Sequence, residues 1–181
     1  MKNFEKFITE SFNSHLSVAR KINERKENVE QTYNKFLFLD FDETLFDNET
    51  NSVIEAEPYF ALCDCIRDPE PVYICIVTAR RSDTKQFVKD TITSSIKDLL
   101  EDFKGRFEIE TVLDKSPESK SSIYETAMLK ADCINSIIEN NVEDLQANIL
   151  VYFFDDVEEN IEMVKKGLDY LNISTDNCNL V

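Results

Sequence analysis

Apolar residues fall along this chain in two rhythms. Residues 36–39, 72–77 and 149–154 are unbroken apolar runs, aromatic or β-branched in character, with no polar position between. Runs this short predict strands buried on both faces of a parallel sheet. Residues 107–113 alternate instead and predict a further strand. Between these segments the period lengthens to three and four. Phe4, Ile8, Phe12, Leu16, Ala19 and Ile22 predict an amphipathic helix over 4–22. Phe87, Ile92, Ile96, Leu99, Leu100 and Phe103 predict one long helix stopped by Gly105, and Tyr124, Ala127, Met128, Ala131, Ile134 and Ile138 line another. A closing helix is expected over 157–171 and a polar tail over 172–181. Strands alternating with helices predict an α/β fold. Residues 47–71, with turn formers at both ends and an apolar middle, predict a loop, a short helix and a return.

Composition narrows the class. A chain of 181 residues that is 42% hydrophobic carries a real core, and its length suits one main domain, 36–181, preceded by a helix and connection over 1–35. The 36 acidic against 20 basic residues, net −16, argue against a surface that coats nucleic acid, while leaving room for a local basic pocket. Residues 1–35 hold seven basic and five acidic side chains, so this arm opposes a strongly acidic remainder; it reads as a docking arm or as a helix packed on the domain. No apolar run approaches the roughly 18–20 residues of a membrane span. Five cysteines without an apolar leader predict reduced thiols and a cytoplasmic protein. Cys63 and Cys65 lack a second cysteine pair or a histidine cluster, His15 being the one histidine, which argues against structural zinc.

Candidate chemistry collects at the ends of the apolar runs. Asp40 and Asp42 follow the first, and in an open α/β sheet the ligand crevice lies beyond such strand ends. Thr78, Arg80 and Arg81 follow the second: a hydroxyl can donate to a phosphate oxygen and a guanidinium can neutralise another, whereas the structural alternative is a helix cap and two surface arginines. Asp155 and Asp156 end the third, and carboxylates at adjacent strand ends suit Mg²⁺. They would also serve to cap the helix that comes after them.

Taken together, Asp40-Phe41-Asp42-Glu43-Thr44 after four hydrophobes resembles the first motif of the haloacid dehalogenase superfamily, in the D-x-D-x-T form of its phosphatases. Thr78 resembles the hydroxyl ending the second motif, and Asp155-Asp156 the acidic pair of the last. The superfamily also carries a lysine, often with a threonine shortly before it; Thr126 and Lys130 fit, with Lys115 and Lys120 as competitors. The resemblance implies a three-layer Rossmann-like fold with a central, mainly parallel sheet. Residues 47–71 stand where a cap is inserted, too few for a full one, so an open site with at most a flap is expected. It further implies Asp40 as nucleophile, Asp42 as acid and base, and Thr78 and Lys130 as catalytic partners. Thr44, Thr78, Arg80 and Lys130 would bind the substrate phosphate. Mg²⁺ would be held by Asp40, the Asp42 carbonyl, Asp155 and Asp156. Glu43 departs from the glycine many members carry. The implied activity is a Mg²⁺-dependent phosphatase acting on a phosphorylated small molecule such as a nucleotide, or on a nucleic-acid 3′ end. Residues 1–7 resemble the openings of some tailed-phage proteins, in keeping with nucleotide metabolism or end repair. The rival is a non-catalytic binding protein that works through its N-terminal helix.

Overall fold

The structure is a computed structural model that describes residues 31–113, 122–145 and 148–181. The predicted helix over 4–22, His15, Lys115 and Lys120 lie outside the described residues. Every described helix and strand belongs to one compact unit, Tyr33–Val181.

In chain order its elements are β1 (Lys35–Leu39), the two-residue strands β2 (Phe46–Asp47) and β3 (Ser52–Val53), α1 (Glu57–Arg67), β4 (Tyr73–Arg81), a 3-10 turn (Ser82–Thr84), α2 (Lys85–Ser95) and α3 (Lys97–Leu100). Then come β5 (Arg106–Leu113), α4 (Ile123–Asn141), β6 (Leu150–Asp155), α5 (Glu158–Tyr170) and β7 (Cys178–Leu180). Five strands form one sheet in the order β5-β4-β1-β6-β7, all parallel; β2 and β3 form a separate antiparallel hairpin.

Two cores explain why the central strands are apolar throughout. Side chains alternate across a strand, so β1 sends Phe36 and Phe38 to one face and Leu37 and Leu39 to the other. The first face packs on α4 and α5 through Ala131, Ile134, Ile138, Ile161, Val164 and Leu168. The second packs on α1 and α2 through Leu62, Cys65, Ile66, Val88 and Ile92. The result is a three-layer α/β fold of Rossmann-like type. Chain order runs β1, β4, β5 toward one edge and then resumes with β6 and β7 on the other side of β1. Open α/β sheets bind ligands at such a reversal, beyond the carboxyl ends of the strands, and Asp40 and Asp155 stand there at the ends of β1 and β6.

Three sequence expectations change and one holds. The long helix ending at Gly105 is two: α2 stops at Ser95, Ile96 leaves helical geometry at φ −117°, ψ 15°, and α3 lasts one turn. The cause is a hydroxyl-rich stretch in which Thr93, Ser94 and Ser95 donate to the backbone carbonyls of Lys89, Asp90 and Ile92, in competition with the helix ladder. Gly105 is required for a different reason: a Cβ there would stand 2.0 Å from the Val72 carbonyl oxygen, which also accepts the Arg106 N–H at 3.1 Å. The segment 47–71 keeps its expected loop, short helix and return, the loop closing the β2–β3 hairpin and the helix being α1, packed against the Leu37 and Leu39 face of the sheet. Lastly, the expected polar tail contains β7, pinned by buried Ile173 and Cys178.

Candidate active site

Alternation along two neighbouring strands brings the acids together. Leu39 pairs with Phe154, and Asp40 N–H donates to the Phe154 carbonyl at 2.9 Å, so Asp40 and Asp155 are the next step of the same register. Both continue the rhythm of Phe36, Phe38, Val151 and Phe153, and therefore both face α4 and α5. From α4, Lys130 meets them. It lies in the same buried stripe as Ala127, Ala131 and Ile134, in the third turn of the helix rather than at its start. The start is fixed by a reciprocal capping box: Ser122 Oγ accepts the Glu125 N–H at 3.2 Å and Glu125 Oε2 accepts the Ser122 N–H at 2.9 Å.

Lys130 is 1% exposed, with its Nζ 2.7 Å from Asp155 Oδ2 and 2.8 Å from Asp40 Oδ1. The contact to Asp155 is a hydrogen bond. The one to Asp40 Oδ1 is a buried ion pair. Asp155 is bonded at both oxygens, its Oδ1 accepting from Val157 N at 2.9 Å and from Asn160 Nδ2 at 2.8 Å while Oδ2 has Lys130 alone as donor. Val157, not an aspartate, occupies the N-cap of α5, although Asp155 does bind the entering backbone. Asp156 completes the group: one carboxylate oxygen from each of Asp40, Asp155 and Asp156 lies within 4.8 Å of the others.

The charges do not balance within this group. Three carboxylates face one ammonium, and burial makes the excess costly. Burial opposes the charge on Lys130, but Asp40 and Asp155 outweigh it and raise its pKa above the ordinary lysine value. Burial pushes the Asp40 carboxyl up to about 7, Lys130 holding it down and the Asp155 charge raising it further. Asp156 is also raised, first by burial and then by Asp155. Hard oxygen donors within reach of one another and more carboxylates than cations together fit a divalent cation of the Mg²⁺ kind.

A second carboxylate–cation group sits beside the first. Arg80 Nε lies 3.0 Å from both Asp42 oxygens, and a terminal nitrogen lies 2.7 Å from Asp42 Oδ1 and 2.8 Å from Asn48 Oδ1. Asn48 Nδ2 donates in turn to Asp42 Oδ1 and Glu43 Oε1, both at 2.9 Å. The guanidinium is boxed by Phe41, Phe87 and Phe46 at 5.0, 5.2 and 5.9 Å from the ring centroids. An irregularity between Thr78 and Arg81 in the β4–β5 register, where Arg80 N–H donates to Thr78 Oγ1 at 3.2 Å, accompanies this placement. Glu43 holds φ at 55°, the left-handed region in which glycine is at ease.

Asp40, Lys130, Asp155 and Asp156 thus come together, with Asp42 and Arg80 adjoining. Thr78 is fully buried, alternates to the Ile74 and Ile76 side of β4, and its hydroxyl serves the Arg80 backbone; it does not cap the following helix. Thr44 is buried in the turn with its hydroxyl unpartnered. Arg81 pairs with Asp83 at the surface. Sequence reasoning missed Asn160 and Asn48. The signal for Asn160 was a buried-stripe position one residue before Ile161; nothing local marks Asn48.

No family model, curated protein or solved structure matches the chain. The arrangement is nevertheless one that general chemistry can interpret: a buried nucleophile-capable carboxylate, a lysine that neutralises charge, and oxygen donors for a cation at the mouth of a parallel sheet.

Proposed function

We propose that the protein is a phosphomonoester hydrolase of the haloacid dehalogenase type. The observation that supports this most is the convergence of Asp40, Asp155 and Asp156 on buried Lys130 at the sheet's switch point. Asp40 attacks phosphorus through a carboxylate oxygen, the ester P–O bond breaks, and Asp42 gives its proton to the departing alkoxide. In the second half Asp42 takes a proton from water, whose oxygen displaces the Asp40 carboxylate from phosphorus. Lys130 offsets charge on the transferring group and keeps Asp40 aimed. Asp40, Asp155, Asp156 and the Asp42 carbonyl would hold Mg²⁺, which supplies the positive charge that lets a phosphate dianion approach several carboxylates.

The substrate class is read from the hairpin and from charge. Residues 47–71 form a hairpin and α1 and no cap domain, which is compatible with the phosphate of a nucleotide or of a nucleic-acid 3′ end, and the net charge of −16 favours the small molecule. The test is phosphate release from nucleoside monophosphates and 3′-phosphorylated oligonucleotides, with Mg²⁺ or EDTA, comparing the natural protein with Asp40→Asn. Turnover that requires the metal and falls about 10⁴-fold or more in the variant supports the reading. Metal-independent turnover, or turnover unaffected by Asp40→Asn, refutes it.

A further inference from the structure

Arg80 invites a role as a direct phosphate ligand, because it is a cation beside the acidic cluster. Its surroundings argue otherwise. The guanidinium spends its Nε and a terminal nitrogen on Asp42 and Asn48, and its faces on three phenylalanine rings. A fork bound to both oxygens of a carboxylate fixes the plane of that carboxylate as well as its place. Asn48 closes the ring by bonding Asp42, Glu43 and Arg80 at once, and it belongs to the turn between β2 and β3. Three separate pieces of chain, the turn after β1, the hairpin and the irregular end of β4, therefore meet on one carboxylate.

We infer that Arg80 is a positioning residue: held in its phenylalanine box, it seats the Asp42 carboxylate and ties it, through Asn48, to the β2–β3 hairpin. This rests on the phosphatase reading, in which Asp42 delivers the proton to the leaving group. On that reading the place of Asp42 matters in proportion to how much the leaving group needs a proton. A strongly basic alkoxide needs one; a stabilised phenolate leaves nearly without help. Nucleophilic attack by Asp40 makes no such distinction.

The experiment compares two esters with Mg²⁺ present, glycerol 2-phosphate and 4-nitrophenyl phosphate, on the natural protein, Arg80→Met, Arg80→Lys and Asn48→Ala. Thermal melting establishes that each variant is folded. Arg80→Met is expected to lower kcat on the alkyl ester by about 10²-fold while the aryl ester changes by less than about threefold. Arg80→Lys keeps the charge but loses the fork, and is expected to restore little of the alkyl activity. Asn48 is an exposed hairpin residue, so Asn48→Ala gives the same asymmetry at smaller size even where an Arg80 variant fails to fold. Equal losses on both esters in folded protein, or a loss carried by KM alone, overturn the inference and return Arg80 to a structural or phosphate-binding role. If the natural protein turns over neither ester nor any member of the nucleotide panel, the phosphatase reading itself falls, and this inference with it.

Discussion

Two carboxylate–cation groups stand side by side and are built in opposite ways. Asp40, Asp155 and Lys130 are set by regular structure: two adjacent strand registers and one helical stripe deliver them, and Lys130 and Asp155 are 1% and 0% exposed. Asp42, Arg80 and Asn48 come from a turn, an irregular strand end and a hairpin, and keep one side in water. A buried group of this kind is rigid and expensive to break, whereas a half-exposed one is cheap to rearrange. On the phosphatase reading proposed above, the division would suit a site in which the nucleophile must not move and the acid must serve an entering substrate and a departing product in turn.

The largest expected effect separates the two groups by stability. Lys130→Met leaves Asp40 and Asp155 facing each other without a cation, and should cost about 3–5 kcal/mol by urea denaturation in EDTA. Arg80→Met, on a pair that water screens, should cost about 1 kcal/mol or less. Similar losses for both would erase the comparison.

A pH effect of intermediate size belongs to the buried group alone. With the Asp40 carboxyl raised to about 7, the metal-free native state binds a proton that the unfolded chain has released above about 4. Raising pH through this window therefore favours unfolding, by on the order of 2–4 kcal/mol in total. Asp156 adds to the same slope, since its pKa is also raised. Asp47 and Asp68, whose pKa values are lowered, act only below the window. Denaturation midpoints in EDTA should fall between pH 5 and 7.5 in the natural protein and much less in Asp40→Asn. An unchanged slope in that variant would remove Asp40 as its source.

These contrasts bear on what the sequence made readable. Two members of the buried group were legible because Asp40 and Asp155 follow apolar runs; Lys130 entered only through the family resemblance, since a lysine on a helix reads as solvated until the structure places it in the buried stripe beside Ala127. Even the start of α4 is written locally, as Ser122 with Glu125 three residues on, a signature that the apolar period alone does not show. The half-exposed group depends on long-range meetings, Arg80 with Asp42 and Asn48, that no local pattern encodes. For the same reason β7, with three residues, was too short to show alternation, and Gly105 answers to a carbonyl 33 positions earlier in the chain. The break at Ile96 was locally written in the hydroxyls before it, but the apolar stripe running through them masked it.

The smallest effect lies at the junction of the two groups. Glu43 sits at φ 55°, and relief of that geometry in Glu43→Gly should stabilise the protein by about 0.5 kcal/mol after the extra freedom of glycine in the unfolded chain is set against it. A loss instead would mean that the Glu43 bonds to Asn48 outweigh the backbone strain.

The central claim is that Asp40 carries the phosphoryl group. The most direct measurement is to quench turnover of a ³²P-labelled phosphomonoester with acid and map the labelled peptide. Label is expected on the peptide containing Asp40, released by hydroxylamine as an acyl phosphate should be, and absent from Asp40→Asn. Steady turnover with no covalent label, or label on another residue, would contradict it.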